Sequence, residues 1–581
     1  MNLKGFIASL VWLRVAATAY ASPHFVWNQI TPSEDLVWTK CYGDRECGRL
    51  KVPMDYSKPD HGFASIALIR VRSKVPHDSP HYRGPVLINP GGPGGSGVDT
   101  VRRNGDLLSL ILGPEFDVVG FDPRGIARST PSVSFFASQE ERALLFSEVG
   151  YDSLNATSAS LARAWSYGSL VGQLAGERNQ NGTLQFMTTD HTARDMLRIV
   201  EAHGRKKLQY WGFSYGSVLG STFAAMFPDR VERLVIDGVA DVENYFEVDW
   251  SVFLTDADAA WQSFAANCVA AGPSSCAFYA PTATELLSNV DVIYQQLRVR
   301  PIPVRGLNRY GIVTFSMLRT VIFQALYSPY ALFRPLANAL AGLAKGDGSL
   351  LFELASKSMP KPFGCSCDSE IERENSQEGL WAVLCNDGKR ISPDYNDMER
   401  HYRDMLTVSQ FADQWEVLRT GCLAWPEYPK NHFQGPFVAN TSFPLLIVGN
   451  TLGGFIDKSV PRLKLLLVDP VTPLWAAKKM SKGFSGSVVL TQNFVGHCSV
   501  SAPSLCTQKH IRAYFRDGKL PELDTACDIN AEMFPATHSG ATTSSQSPFS
   551  VGALSAKDEE LLGALNELAL DPRNGLVKFP L

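Results

Sequence analysis

The first part of the chain alternates short apolar runs with segments of helical periodicity. Residues 190–204 carry apolar side chains at helical spacing, with Asp190 as the N-cap and Gly204 as the stop signal. Strands that are apolar throughout, separated by such helices, form parallel sheets covered on both faces. The pattern therefore predicts an α/β fold with a mostly parallel central sheet. The predicted strands are residues 64–71, Gly84–Asn89, Phe116–Phe121, Leu208–Phe213, 233–237, 444–448 and 487–490.

The pattern changes between residues 245 and 440. Tryptophans and other aromatic residues recur there, and helical periodicity dominates. An independent second domain is one interpretation, but the return to a strand at residues 444–448 favours a mostly helical lid inserted into the sheet. We expect the core to comprise residues 22–244 and 441–531. Residues 532–581 are expected to form a low-complexity linker and a short tail helix.

Composition and the N-terminal residues narrow the class of protein. The 581 residues carry a net charge of -4 and no Lys/Arg run, which argues against a nucleic-acid partner. Residues 1–21 combine Lys4, an apolar stretch and an Ala19-Tyr20-Ala21 cleavage pattern, although Arg14 interrupts the apolar region. No apolar run reaches the roughly 20 residues of a membrane span. The sequence predicts a signal peptide and a secreted, extracellular protein without a membrane partner.

Eleven cysteines agree with an oxidising compartment. Cys41, Cys47, Cys268 and Cys276 are candidates for disulfide bonds, and the odd count leaves at least one thiol unpaired in a monomer. No pair of CxxC motifs with histidine partners is present, which argues against a zinc site. No other cofactor is predicted. Candidate glycosylation sites that agree with secretion are Asn155, Asn181 and Asn440.

A serine lies where a predicted strand meets a predicted helix. Ser214 stands in the sequence Gly-Phe-Ser-Tyr-Gly, after the strand Leu208–Phe213 and before small residues compatible with a helix. Strand, sharp turn and helix around G-x-S-x-G form a nucleophile elbow, in which the flanking glycines avoid collisions with neighbouring backbone. The alternative is a serine in an ordinary glycine-rich turn.

A glycine-rich loop, residues 90–97, follows the strand Gly84–Asn89 directly. The loop lacks the Lys-Ser/Thr of a phosphate-binding Walker motif and the spacing of a dinucleotide loop. Beside a nucleophilic serine, its unshielded backbone N–H groups would instead bind a developing oxyanion. A plain flexible turn is the alternative.

A nucleophilic serine needs a base and an acid that orients the base. His497 follows the strand at residues 487–490 in a loop able to reach back over the sheet, and Asp469 lies upstream in Asp-Pro-Val-Thr-Pro. Their order after Ser214, acid and then histidine, is the order of α/β-hydrolases. The alternatives are a surface histidine and a helix-capping aspartate.

Several segments together resemble one family. INPGGPGGSG, VGFDPRG, YWGFSYGSVLG, FPDRVERLVIDGV, DPVTPLWAA, GHCS and YFRDGKLP occur in this order. They resemble the secreted tripeptidyl-aminopeptidase-like (TAP-like) branch of α/β-hydrolases, relatives of proline iminopeptidases. The resemblance implies an α/β-hydrolase fold with an inserted helical lid, and the C-terminal part of the core as the TAP-like region.

The resemblance also implies roles for individual residues. Ser214 becomes the nucleophile, His497 the base and Asp469 the acid, while Gly92 and Tyr215 donate the oxyanion N–H groups. It further implies a disulfide between Cys506 and Cys527, with Cys498 as an unpaired thiol.

The chain departs from the family pattern at two places. Ala127 stands where the pattern DPRG-x-G-x-S favours glycine, a change we expect to be tolerated. Residues 453–468 separate the strand near residue 448 from Asp469, either as a surface insertion or as the translation of a retained intron. A displaced Asp469 would uncouple His497, with Asp457 as a less suitable substitute acid.

Three functions are compatible with these features. The first is a secreted serine exopeptidase that releases residues or short peptides from peptide N-termini, with Asp241 and Glu243 as candidates for binding the substrate's α-ammonium group. The second is an esterase or lactone hydrolase that acts on a small metabolite with the same triad and an aromatic lid pocket. The third is a binding protein on a hydrolase scaffold whose acid has been uncoupled.

Overall fold

A computed structural model describes residues 25–149, 152–179, 181–306, 310–358, 375–429, 432–451, 468–535 and 554–570. The predicted signal peptide, residues 1–21, lies outside the described residues. None of the helices in these ranges combines the length and apolar character that a bilayer span requires.

Twelve strands lie in the described residues. They are β1 (Thr39–Cys41), β2 (Arg45–Pro53), β3 (Phe63–Val71), β4 (Gly84–Asn89), β5 (Phe116–Phe121), β6 (Leu208–Phe213), β7 (Val231–Asp237), β8 (Ile302–Arg305), β9 (Tyr310–Val313), β10 (Leu446–Thr451), β11 (Val488–Asn493) and β12 (Ala526–Asp528).

Seventeen α-helices accompany them in the same ranges. They are α1 (Gly97–Leu112), α2 (Gln139–Val149), α3 (Ser160–Arg178), α4 (Thr189–Ala202), α5 (Tyr215–Met226), α6 (Val242–Glu247), α7 (Ala257–Ala271), α8 (Ala283–Val299), α9 (Phe315–Tyr327), α10 (Pro329–Leu343), α11 (Ser349–Ser358), α12 (Ser376–Asp387), α13 (Tyr395–Val408), α14 (Ala412–Thr420), α15 (Leu474–Ser481), α16 (Leu505–Asp517) and α17 (Ala556–Leu570).

Ten of the strands form one sheet in the order β1-β2-β3-β5-β4-β6-β7-β10-β11-β12. The seven strands from β5 to β12 in this order pair in parallel, and the three at the other edge pair antiparallel. The mostly parallel sheet predicted from the apolar runs is therefore present. The carboxyl ends of β4, β6, β7, β10 and β11 meet at one edge, where parallel α/β sheets place their sites.

Alternate residues of the central strands enter two separate cores. On β4, Val86 and Ile88 join the core under α1, α16 and α17, whereas Leu87 joins the core under α4 and α5. Strands β4, β5 and β6 are buried at every position. Burial on both faces explains why these strands are apolar runs without alternation.

Helices from two parts of the chain cover the carboxyl edge. The segment between β7 and β10 is mostly helical and contains one two-stranded sheet, β8-β9. Helix α3, within the predicted first core segment, packs against the end of α14 so closely that a Cβ on Gly168 would collide with the carbonyl oxygen of Thr420. The cover over the sheet therefore includes a helix that precedes the predicted lid.

Helix α17 docks onto the core. Leu561, Leu565 and Leu568 lie in the hydrophobic core beneath α1 and α16. Tyr330 on α10 donates a hydrogen bond to Asn566 Oδ1 (3.1 Å), so this helix also contacts the lid.

Four disulfides join described cysteines: Cys41–Cys47, Cys268–Cys276, Cys385–Cys422 and Cys506–Cys527. The pair Cys385–Cys422 was not among the candidates from sequence. Cys498 is buried and free.

A buried ion pair stabilises the lid. Arg319 on α9 and Asp413 on α14 are almost inaccessible to solvent, with side chains 4% and 0% exposed. We expect Asp413→Asn to lower the free energy of unfolding of the lid by about 3–5 kcal/mol, because the guanidinium then stays buried without its carboxylate. Denaturant unfolding, followed by tryptophan fluorescence, measures this. Glu353→Gln, in an exposed pair with Lys357, is the control, with an expected change below about 0.5 kcal/mol.

Candidate active site

The turn between β6 and α5 holds Ser214 in a strained backbone conformation. Its φ of 57° and ψ of -121° lie outside the regions that non-glycine residues favour. Its N–H donates to the backbone oxygen of Asp237 at the end of β7 (2.9 Å). A Cβ on Gly212 would collide with the backbone oxygen of Gly216, and one on Gly216 would lie 3.0 Å from Asn89 O. The flanking glycines are therefore required for the turn, as the motif predicts.

The glycine-rich loop after β4 lies directly against this turn. Gly91 has a φ of +94°, and a Cβ there would collide with Phe213 O and lie 2.9 Å from Ser214 Cβ. Its N–H is held by Asn89 Oδ1 (2.9 Å). Gly92 and Tyr215 line the same cavity as Ser214. The structure thus brings together the serine and both predicted oxyanion residues.

Asp469 and His497 form a buried pair. His497 Nδ1 lies 2.9 Å from Asp469 Oδ1 and 3.0 Å from Oδ2. The carboxylate also accepts backbone N–H bonds from Val471 (3.1 Å), Thr472 (2.9 Å) and Cys498 (3.1 Å). These donors hold the carboxylate in one orientation. The pairing with Nδ1 favours the tautomer that carries its proton there and leaves Nε2 as an acceptor.

The other edge of the imidazole faces a gap in the hydrogen-bond network. His497 Nε2 is buried and has no hydrogen-bond partner within the described residues. The backbone N–H of His497 donates to Tyr327 O (2.9 Å), and the Tyr327 ring packs edge-on against the imidazole at a centroid distance of 5.0 Å. The ring is fixed while one nitrogen stays available to accept a proton.

The unusual segment before Asp469 does not separate Asp469 from His497. Residues 452–467, including Asp457, lie outside the described residues. Asp469, two residues after them, is completely buried and hydrogen-bonded to His497. The displacement considered from sequence is therefore not observed, which removes the reason for the uncoupled binding-protein hypothesis.

Asp237 connects the serine turn to the histidine loop. Its backbone oxygen accepts the Ser214 N–H, and its carboxylate accepts bonds from Ser499 N (2.8 Å) and Ser499 Oγ (2.5 Å). Trp211 Nε1 donates a further bond of 3.2 Å. Complete burial raises the pKa of Asp237 to about 6. Sequence reasoning treated this residue only as the end of a strand.

A cavity with about 600 Å³ of space, including its open mouth, lies above Ser214. Its lining combines aromatic and aliphatic side chains from the core and the lid, and no charged side chain belongs to it among the described residues. The recurrent lid aromatics were the sequence signal for this cavity. The lining residues are Gly92, Pro93, Ser214, Tyr215, Val218, Ala240, Tyr245, Trp250, Phe253, Tyr327, Leu380, Leu384, Trp415, Leu418, Val471 and Thr472.

The two candidates for binding a substrate ammonium are engaged elsewhere. Lys479 Nζ lies 2.8 Å from both Asp241 Oδ1 and Glu243 Oε2. Asp241 also caps α6 by accepting the N–H of Asn244. Neither carboxylate lines the cavity. Both carboxylates are paired with Lys479 and lie outside the cavity lining, which argues against the suggested role.

Ala127 shows why the family pattern favours glycine at its position. Its φ is 45°, in the left-handed region, and its N–H donates to Asn375 Oδ1 (2.9 Å). The hydrogen bond holds alanine in a conformation that costs about 1 kcal/mol.

Among the candidate glycosylation sites, Asn181 and Asn440 are exposed, whereas Asn155 is half-buried with a buried Oδ1. The first two are accessible to modification, and glycosylation remains a prediction for them. Among the described residues, one group of potential metal ligands lies close together: Cys506, His510 and Cys527. Its two cysteines form a disulfide with each other, so their thiolates are not available as ligands.

Comparison with known proteins agrees with the geometry. A family model described as the alpha/beta hydrolase fold matches residues 84–274, and one described as TAP-like protein matches residues 463–527. This chain has the α/β-hydrolase fold and a C-terminal region similar to TAP-like proteins.

Three curated relatives match most of the hydrolase. Serine protease Hip1 of Mycobacterium tuberculosis is 27% identical over 85% of this chain and 91% of the relative. Tripeptidyl aminopeptidase of Streptomyces lividans is 27% identical over 86% and 87%. Carboxylesterase B of Mycobacterium tuberculosis is 26% identical over 87% and 90%.

Gly91 should be intolerant of any side chain. We expect Gly91→Ala to slow labelling of Ser214 by a fluorophosphonate by at least about 100-fold, because the added methyl group would displace the serine turn. Gly204→Ala is the matched control, since Gly204 also has a positive φ (+70°) but has open space around it. Equal labelling rates in the two variants would contradict the packing described here.

Asp256 gives the hydrolase a pH-dependent stability. Its Oδ2 is buried without a hydrogen-bond partner in the described structure, and burial followed by the nearby Asp469 raises its pKa to about 8. The folded protein therefore keeps a proton that the unfolded chain, with a pKa near 4, releases. This contribution to stability is complete below about pH 4 and is lost as the pH rises towards 8, by at most about 1.4 kcal/mol per pH unit.

We expect Asp256→Asn to become progressively more stable than the wild type from pH 5 to 8, with no further gain above that range. Denaturant unfolding at each pH measures the difference. Asp229→Asn, at an exposed carboxylate, controls for the loss of a charge. A difference between Asp256→Asn and the wild type that does not vary with pH would disprove the assignment.

Proposed function

We propose that this hydrolase is a secreted serine exopeptidase that cleaves near the N-termini of peptides. The observation that carries the proposal is the hydrogen bonding between the Asp469 carboxylate and His497 Nδ1, together with a cavity that is lined by Ser214. Two relatives named as a serine protease and a tripeptidyl aminopeptidase support peptide substrates. The leader sequence and four disulfides support secretion.

The proposed reaction is acyl transfer. His497 Nε2 takes the proton of Ser214 Oγ as the oxygen attacks the scissile carbonyl, and Asp469 stabilises the resulting imidazolium. The backbone N–H groups of Gly92 and Tyr215 stabilise the oxyanion. His497 then protonates the leaving amine, and water attacks the acyl-enzyme with the same histidine as base.

The cavity restricts the substrate. Helix α12 contributes Leu380 and Leu384 above the serine, and α14 contributes Trp415 and Leu418. A roof of this kind admits a chain end more easily than the middle of a folded chain. The apolar, uncharged walls favour an uncharged, apolar side chain at the residue whose carbonyl is attacked.

An esterase is the second candidate, favoured by the same uncharged lining. An exopeptidase gains specificity from a carboxylate that binds the α-ammonium, and no described cavity residue carries one. A neutral ester needs no such group. A relative named Carboxylesterase B also supports this alternative.

Three substrate types separate the candidates. The exopeptidase proposal predicts hydrolysis of peptide p-nitroanilides with a free N-terminus, and little hydrolysis of the same peptides after N-acetylation. Rapid cleavage of p-nitrophenyl esters without cleavage of free peptides would support the esterase instead. Ser214→Ala is the control for both activities, because any remaining turnover then arises elsewhere.

The acid can be tested independently of the substrate. Asp469→Asn should lower kcat by about 10³–10⁴-fold, because the amide no longer holds the required tautomer of His497. Asp457→Asn, in the segment before Asp469, is the matched control and should retain wild-type kcat. Steady-state kinetics on the better substrate measures both. A larger loss in Asp457→Asn than in Asp469→Asn would reverse the assignment of the acid.

A further inference from the structure

Two consecutive residues at the C-terminal end of α12 fix the lid to the core. Cys385, which precedes them, forms a disulfide with Cys422 within the lid. Asn386 Nδ2 donates to Leu184 O (2.6 Å), in the segment that leads into α4. Asp387, the last residue of the helix, reaches the first residue of α4. The end of the helix above the cavity is therefore held on the core beside the serine turn.

Asp387 is a buried acceptor for three donors. Its carboxylate accepts bonds from Thr189 N (2.8 Å), Thr189 Oγ1 (2.5 Å) and Tyr245 OH (2.9 Å). The residue is completely buried, and among the ion pairs of the described residues none includes it. Burial raises the pKa of its carboxyl group, while His432 and the three donors oppose this change. A buried acceptor with this many donors is sensitive to any change in its hydrogen-bonding character.

A chain of hydrogen bonds leads from Asp387 through Thr189 to Tyr215. Thr189 has a single hydroxyl proton, which it donates to Asp387 Oδ2. Its oxygen can then only accept the bond that joins it to Tyr215 OH (2.5 Å). Tyr215 therefore donates to Thr189, and Thr189 donates to Asp387. The last acceptor of this chain of hydrogen bonds, Asp387, belongs to the lid.

Tyr215 matters because it follows Ser214 and supplies one of the two oxyanion N–H groups in the proposed function. Its hydroxyl and that of Tyr245 both depend on Asp387, and both residues line the cavity. The lid thus contacts the oxyanion side of the site through hydrogen bonds as well as through its apolar roof.

We propose that Asp387 is a positioning residue through which the docked lid holds Tyr215 in place for oxyanion stabilisation. The inference rests on the proposed acyl-transfer function, but not on whether the substrate is a peptide or an ester. When the chain of hydrogen bonds is intact, the start of α5 is fixed at both its backbone and its side chain. When it is broken, Tyr215 is free to shift, and the oxyanion loses part of its stabilisation.

Isosteric substitutions test each link. Asp387→Asn replaces one acceptor oxygen with a donor, Thr189→Val removes the hydroxyl, and Tyr215→Phe removes the phenol while keeping the backbone N–H. Each should lower kcat by about tenfold or more, with KM changed less than about threefold, because the loss falls on the transition state. Thr189→Ser keeps the hydroxyl and should restore most of the activity.

A structural role alone would give a different pattern. Thr192→Val is the matched control, because Thr192 is also buried on α4 but donates only to the backbone oxygen of Thr188. Thermal unfolding is measured for every variant. The proposal is overturned if kcat follows the melting temperature across all variants, including Thr192→Val, or if Asp387→Asn keeps wild-type kcat.

The same experiment separates this inference from the proposed function. Rates are expressed relative to the wild type on p-nitrophenyl acetate and, in parallel, as fluorophosphonate labelling of Ser214. Failure to cleave peptides overturns the exopeptidase assignment but leaves these ratios measurable. Absence of labelling in the wild type would overturn both.

Discussion

The hydrogen bond from Ser214 N–H to the backbone oxygen of Asp237 is the constraint on which the site depends. It holds a serine in a backbone conformation that would otherwise be unfavourable. Gly91 can then lie against the turn, since it has no side chain to collide with Phe213. The carboxylate of the same Asp237 binds Ser499 and so fixes the loop of His497. One residue at the end of β7 therefore sets the positions of both the serine and the histidine.

The lid adds a second set of constraints at the same edge of the sheet. Its helices close an uncharged cavity over Ser214 and reach the serine turn through Asp387 and Thr189. Burying a carboxylate is costly unless hydrogen bonds compensate for the lost water. Among the described residues, the carboxylate of Asp387 binds only hydroxyl and amide donors, so its burial requires these donors to keep one geometry. Core and lid are consequently coupled in one hydrogen-bond network, and substrate shape and oxyanion stabilisation depend on the same docked arrangement.

Local sequence patterns located most elements. The bounds of β4, β5 and β6 coincide with the apolar runs. Strands buried on both faces are apolar at nearly every position, so they can be located from the chain itself without knowing which strands they pair with. The spacing of apolar residues located the helix Thr189–Ala202, but its N-cap is Thr188, which accepts the N–H of His191, and not the predicted Asp190. The strained turn at Ser214 follows from the glycine spacing. The position of α3 against α14 was not predicted, because it depends on two glycines whose contacts are far away in sequence.

The sequence by itself determined the parallel sheet, the serine turn and the order of the acid and histidine, because each is encoded by residues close together in the chain. Only the tertiary structure decided that Asp469 still reaches His497 after the unusual segment, and that Lys479 forms ion pairs with Asp241 and Glu243. It also decided that Asp387 accepts bonds from Thr189, 198 residues earlier in the chain. Such contacts depend on how lid and sheet pack together, and no local pattern specifies that packing.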